Sequence, residues 1–137
     1  KANYIEDAVV KTVAGFANSR YGGTLLVGVA DDGTLHGLED DYASFSKRGE
    51  RGDRDLWSAH LTNLLRRLGD SAATLVEYEF LTINGDDLAR INVEPSDHPV
   101  YDTKGGEQAF YWRYQERTTA IADKVERERI IARRWAK

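Results

Sequence analysis

A chain of 137 residues, 41% hydrophobic and 31% charged, has the length and balance of one globular domain spanning residues 1–137 with its own core. It has no cysteine, which excludes disulfides and thiolate metal sites, and no apolar run near the roughly 20 residues that cross a bilayer. A formal net charge of −4 excludes coating of nucleic acid by bulk charge, and without a charged leader ahead of an apolar stretch the expected location is the cytoplasm.

The first predicted element is a helix over residues 4–18, where Ile5, Ala8, Val9, Thr12, Val13, Phe16 and Ala17 recur at three- and four-residue spacing. Asn3 with Glu6 makes a capping-box-like start, and Gly22-Gly23 ends and reverses the chain. Residues 24–30 form a continuous apolar run bounded by turn signals, which predicts a buried strand. Asp32-Gly33 is a tight-turn dipeptide, and residues 34–37 return as a short partner strand. Residues 39–54 are polar and charged and read as a long connecting loop.

A second helix is expected over residues 55–68, capped by Asp53 or Asp55, stopped by Gly69, and with His60 on its apolar side. Residues 74–83 and 88–93, joined by "NGDD" at 84–87, form the clearest hairpin. A short extended piece follows at 99–101, then a glycine turn at 105–106 and an aromatic strand at 109–114. Asp123 with Glu126 opens a last helix that runs to about Trp135. The order is α-β-β-α-β-β-β-α, an α+β fold with a mainly antiparallel sheet packed with about three helices. Methionine is absent throughout, which predicts a piece of a longer protein.

The glycine-rich stretch "GGTLLVGVADDGTLHGL" is the first candidate for chemistry. Gly23 and Gly28 have the outer spacing of a phosphate loop, but Val29 and Ala30 stand where the lysine and hydroxyl must be. The glycines also precede a strand, so the dinucleotide fingerprint fails. Adjacent carboxylates at a strand end, Asp31 and Asp32, can hold Mg²⁺ or Mn²⁺ for phosphodiester hydrolysis, with Glu39, Asp40 and Asp41 as further acids. Turn chemistry alone also accounts for Asp-Gly. No cofactor is evident otherwise. His36, His60 and His98 share no metal-ligand spacing.

Basic residues gather at Lys47, Arg48, Arg51 and Arg54 and again in the last helix, where interleaved Glu126 and Glu128 offer i,i+3 and i,i+4 partners. In "AFYWRY", Phe110, Trp112 and Tyr114 alternate to one face and look like core, while Tyr111 and Arg113 point the other way. Tyr111 and Arg113, continued by Arg117, combine an aromatic ring with cations that can stack a base and contact a phosphate, unless they form an ordinary solvated sheet face.

Two stretches together, "VVKTVAGFANSRYGGTLLVGVADDGTLHGLEDDY" and "PSDHPVYDTKGGEQAFYWRYQERTTAI", resemble the Schlafen-type AlbA-like domain family, described as DNA-binding and also as a divergent AAA domain. "NSRYGG" has one residue more before the glycines than the commonest family form, and the turn at 115–119 lacks the usual glycine and asparagine. The resemblance implies a nucleic-acid-binding accessory module, for DNA or RNA, in a larger bacterial protein beside other domains of the same polypeptide. It also implies a first strand upstream of residue 1. In the family's nuclease branch that strand carries two acids, and the third maps onto Asp31 or Asp32. Three other readings stand beside binding: part of a metal-dependent tRNA or RNA endoribonuclease, an ATP-binding regulatory domain, and a structural module that forms a homodimer. For the binding reading the expected contacts are Tyr111, Arg113 and Arg117, flanked by Lys47, Arg48, Arg51 and Arg54.

Overall fold

The computed structural model describes residues 2–30, 32–43 and 53–136, with side chains from Glu6 onward. Helix α1 (Ala2–Asn18) follows the amphipathic stripe, and Val10, Val13, Ala14 and Ala17 are buried. It already includes Asn3, which therefore lies within the helix and not at its cap. Ser19 closes the bend after α1: its hydroxyl donates to the Phe16 carbonyl at 2.7 Å and accepts from the Gly22 N–H at 3.1 Å. Tyr21, in the bend that holds the extra residue, is exposed. Gly22 sits at φ +73°, where a Cβ would run into the Val93 carbonyl oxygen, and a Cβ on Gly23 would run into the Phe16 ring. The double glycine thus serves a left-handed turn and a close approach.

Strand β1 (Gly23–Val27) pairs antiparallel with β3 (Asp86–Val93), which pairs antiparallel with β2 (Val76–Ile83), giving the order β1-β3-β2. β1 is an edge strand buried on one face only, with Leu25 and Val27 inward and Leu26 exposed, which corrects the expectation of a fully buried strand. The partner strand expected at 34–37 reduces to a single bridge between Val29 and Leu35. Gly28 at φ +103° turns the chain there, and its carbonyl accepts from both His36 N and Gly37 N at 2.7 and 2.9 Å, which uses up the ladder.

Within the expected loop 39–54 stands one helical turn, α2 (Glu39–Ala43), whose Tyr42 is buried, and α3 (Asp53–Leu64) begins at the loop's far end. α3 continues into 3-10 turns at Leu65–Leu68 and Asp70–Leu75. His60 is exposed and bridges to Glu6 at 2.7 Å. The β2–β3 connection is the two-residue turn Asn84-Gly85, both at positive φ, so Asp86 and Asp87 belong to the strand.

A second sheet has the order β4-β5-β6: β4 (Tyr101–Asp102), β5 (Ala109–Tyr114) and β6 (Arg117–Ala120), all antiparallel. α1 touches both sheets, and the core joins α1, α3, Leu65, Leu68 and the inner face of β1-β3-β2. Helix α4 (Lys124–Arg134) starts at Asp123, whose carboxylate accepts from Glu126 N at 2.9 Å. Arg129 pairs with Glu126, as the interleaved charges suggest. Arg134 fixes the far end by donating to the carbonyls of Asn18, Ser19 and Ser96 at 2.8–3.0 Å, a cation placed on the negative end of α1. Among the described residues no helix is long and apolar enough to cross a membrane.

Candidate nucleic-acid interface

Asn18, the last residue of α1, sets the position of β5. Its side chain is fully buried; Nδ2 donates to the carbonyls of Val100 (3.0 Å) and Tyr111 (2.9 Å), and Oδ1 accepts from Val100 N at 2.8 Å. One amide therefore ties the helix to the segment before β4 and to the middle of β5. The Phe-Ala-Asn end of the helix motif is a clamp.

β5 then lies along α1 with Tyr111 and Arg113 facing the helix, so this face is covered and not an open solvated one. The Lys11 ammonium stands 5.8 Å from the centre of the Tyr111 ring. The Arg113 stem passes over Gly15, and its guanidinium lies 4.6 Å from the Phe16 ring centre. Arg113 Nη1 also donates to Thr118 Oγ1, its cross-strand neighbour on β6, at 3.0 Å. Lys11, Arg113 and Arg117 have no carboxylate partner among the described residues. Arg113 is the most constrained of the three: stacked on one side and tethered on another, it keeps unused N–H donors.

Next to Tyr111 a cleft of about 190 Å³ is lined by Asp7, Lys11, Arg67, Asp102, Lys104 and Tyr111, among others. Its charges are largely spoken for. Arg67 donates to Asp7 at 2.6 Å and to both oxygens of buried Asp102 at 3.0 and 2.6 Å, and Lys104 reaches Asp7 at 2.5 Å. These bonds hold the Asp7 carboxyl down at about 2, first through Lys104 and then through Arg67. Among the described residues Lys11 is the cation of this cleft left without a carboxylate partner, a contact not legible in the sequence because nothing local says that α1 lies under β5.

The other face of β5 also departs from expectation. Phe110 is buried, but Trp112 is only half-buried and Tyr114 is exposed, so the three are not a uniform core set. The tip that follows is a two-residue turn, Gln115-Glu116, with φ of 52° and 64°. The other hairpin meets the same demand with Asn-Gly. Replacing Gln115-Glu116 by Asn-Gly is expected to raise stability by about 1 kcal/mol, seen as a higher urea midpoint at unchanged m. An unchanged or lower midpoint would show that the tip holds no such strain.

The remaining expected contacts divide. Arg54 is held by Asp87 at 2.9 and 3.1 Å and donates to Thr82 at 2.8 Å, so it is an ordered ion pair and not a free basic flank. Arg54 and Tyr42, whose hydroxyl donates to Asp87 at 2.6 Å, hold the Asp87 carboxyl well below its usual range. Asp32 is exposed and accepts from Thr34 N at 2.9 Å, and hydrogen bonding by Thr34, first through its side chain and then through this backbone N–H, lowers its pKa. Lys47, Arg48, Arg51 and Asp31 lie outside the described residues. Among the described residues no group of three His, Asp or Glu side chains could hold a metal ion.

The fold is similar to that of the DIP2311 protein from Corynebacterium diphtheriae, with a TM-score of 0.59 and 21% identity over 86% of this chain and 20% of that one. The chain thus spans about a fifth of that protein's length, and the likeness concerns the fold alone. No curated protein matches the sequence. The family model described as "Schlafen, AlbA_2" matches residues 1–122, from α1 through β6, leaving α4 beyond the match. With so much of its length matched, the chain belongs to the Schlafen, AlbA_2 family.

Proposed function

We propose that the chain is a nucleic-acid-binding module, an accessory part of a larger cytoplasmic protein, and that its ligand runs along the seam between α1 and β5. Family membership supports a nucleic-acid-related role. The observation that carries the reading is Arg113, a guanidinium preset by Phe16 and Thr118 with no carboxylate to neutralise it among the described residues. Such an arginine meets a phosphate with little ordering left to do. Lys11 on Tyr111 extends this cationic line toward the start of α1, and Arg117, paired across the hairpin with Tyr114, adds a cation on the other face of β5 and β6. This minority surface reconciles phosphate binding with a net charge of −4.

Arg113→Ala is expected to weaken oligonucleotide binding and to reduce the slope of log affinity against log salt by about one unit. Fluorescence anisotropy over a salt series measures both, with circular dichroism verifying that the variant is folded. Unchanged affinity and slope in a folded variant would remove Arg113 from the interface. The metal-dependent ribonuclease reading rests on the resemblance at Asp31, and the ATP-binding and dimer readings have no observation in their favour here.

A further inference from the structure

Only one face of β5 lies against α1. On the other, Phe110, Trp112 and Tyr114 form a graded aromatic row. Phe110 is closed in by Trp135 of the α4 end and by Tyr101, with ring centres at 6.4 and 5.9 Å. Trp112 stacks on Phe110 with planes 16° apart and keeps part of its surface open. Tyr114 is 65% exposed and makes no ring contact or side-chain hydrogen bond among the described residues. The cross-strand pairs Tyr114–Arg117 and Trp112–Thr119 place Arg117 and Thr119 on this same face.

We infer that Trp112 and Tyr114, with Arg117 opposite, form a stacking platform for unpaired bases, so that the ligand of this domain is single-stranded nucleic acid. This rests on the nucleic-acid reading above and narrows it. An extended strand sets side chains two residues apart about 7 Å from each other, so the two rings can take successive bases. A ring offers its face to any base, but only to one freed from a duplex, because paired bases already cover each other's faces. Arg117 adds the positive charge that a phosphate backbone requires, and it has no carboxylate partner among the described residues. A second copy of the chain suits the patch less well. Two aromatic side chains bury at most about 300–500 Å², against about 800 Å² per partner in a stable complex.

The test uses the whole chain with fluorescein-labelled oligo(dT), the same strand paired with oligo(dA), and sedimentation of the protein alone. The wild type is expected to prefer the single strand. Tyr114→Ala should weaken single-strand binding about tenfold while leaving duplex binding unchanged, and Tyr114→Phe, which keeps the ring, should retain it. Tyr114 is exposed, so its removal leaves the core intact. If Tyr114→Ala binds the single strand like wild type while Arg113→Ala still weakens it, the platform is wrong and the nucleic-acid reading survives. If the wild type binds neither probe at low salt, both fail. A wild-type dimer that Tyr114→Ala converts to monomer would assign the face to self-association and overturn the inference.

Discussion

Asn18→Ala is expected to cost about 4 kcal/mol, the larger part of a small domain's stability. Three hydrogen bonds disappear: the Val100 N–H and carbonyl lose their side-chain partner in a buried place, and the Tyr111 carbonyl loses it in a part-buried one. Each such orphan costs on the order of 1–3 kcal/mol, and the van der Waals loss from Asn to Ala adds to it. Asn18→Asp is expected to cost at least as much. It keeps the acceptor for Val100 N but aims a carboxylate at two carbonyl oxygens. Urea unfolding at constant m measures both; a loss under about 1 kcal/mol for Asn18→Ala would mean that the clamp is not what joins α1 to β5.

Arg67→Ala is the second large effect, about 3–5 kcal/mol, because it leaves Asp102, only 3% exposed, as an unpaired buried charge. Arg67 also joins three parts of the chain: its guanidinium holds Asp7 on α1 and Asp102 on β4, and its carbonyl accepts from Thr103 N and Oγ1 at 3.0 and 2.9 Å. Adding Asp102→Leu to Arg67→Met should recover much of the loss, since removing both charges leaves nothing unpaired between them. If the double variant is no better than Arg67→Ala, the charge accounting is wrong.

The same network gives stability a pH dependence of fixed sign. Asp7 titrates at about 2 in the folded chain against 3.8 as its ordinary value. A folded pKa below the unfolded one contributes stability that is complete above 3.8 and is lost as pH falls through the folded value. Asp87, lowered by Arg54 and Tyr42, acts in the same direction. Denaturation midpoints should therefore fall from about pH 5 downward, and Asp7→Asn should flatten part of that decline above pH 2. An identical pH profile in Asp7→Asn would contradict the assignment.

Signals confined to a few neighbouring residues were legible in the sequence. The Asp32-Gly33 turn, the Asn84-Gly85 hairpin and the Asp123 cap of α4 each rest on local backbone chemistry, and each is present. β6 escaped because Arg-Thr-Thr-Ala has no hydrophobic alternation and its turn is Gln-Glu, which carries no hairpin signature. The faces of β5 escaped for a different reason. Alternation says that Tyr111 and Arg113 share a side, but which side is covered depends on α1, clamped through Asn18 from 82 and 93 residues away. Lys11, Arg67 and Asp102 came together through the same long-range packing, and no spacing in the chain announces them. The ion pair of Arg54, expected in a basic flank, is not legible locally because its partner, Asp87, lies 33 residues on, in a segment expected to be a turn.

The most direct test of the interface is an amide hydrogen-exchange footprint of the whole chain with and without a single-stranded oligonucleotide at low salt. Protection should gather at Tyr111–Ala120 and along the Lys11 side of α1, with the Asn84-Gly85 turn on the other sheet unchanged. Protection centred on that turn, or none at concentrations where binding is saturated, would contradict a ligand lying against β5.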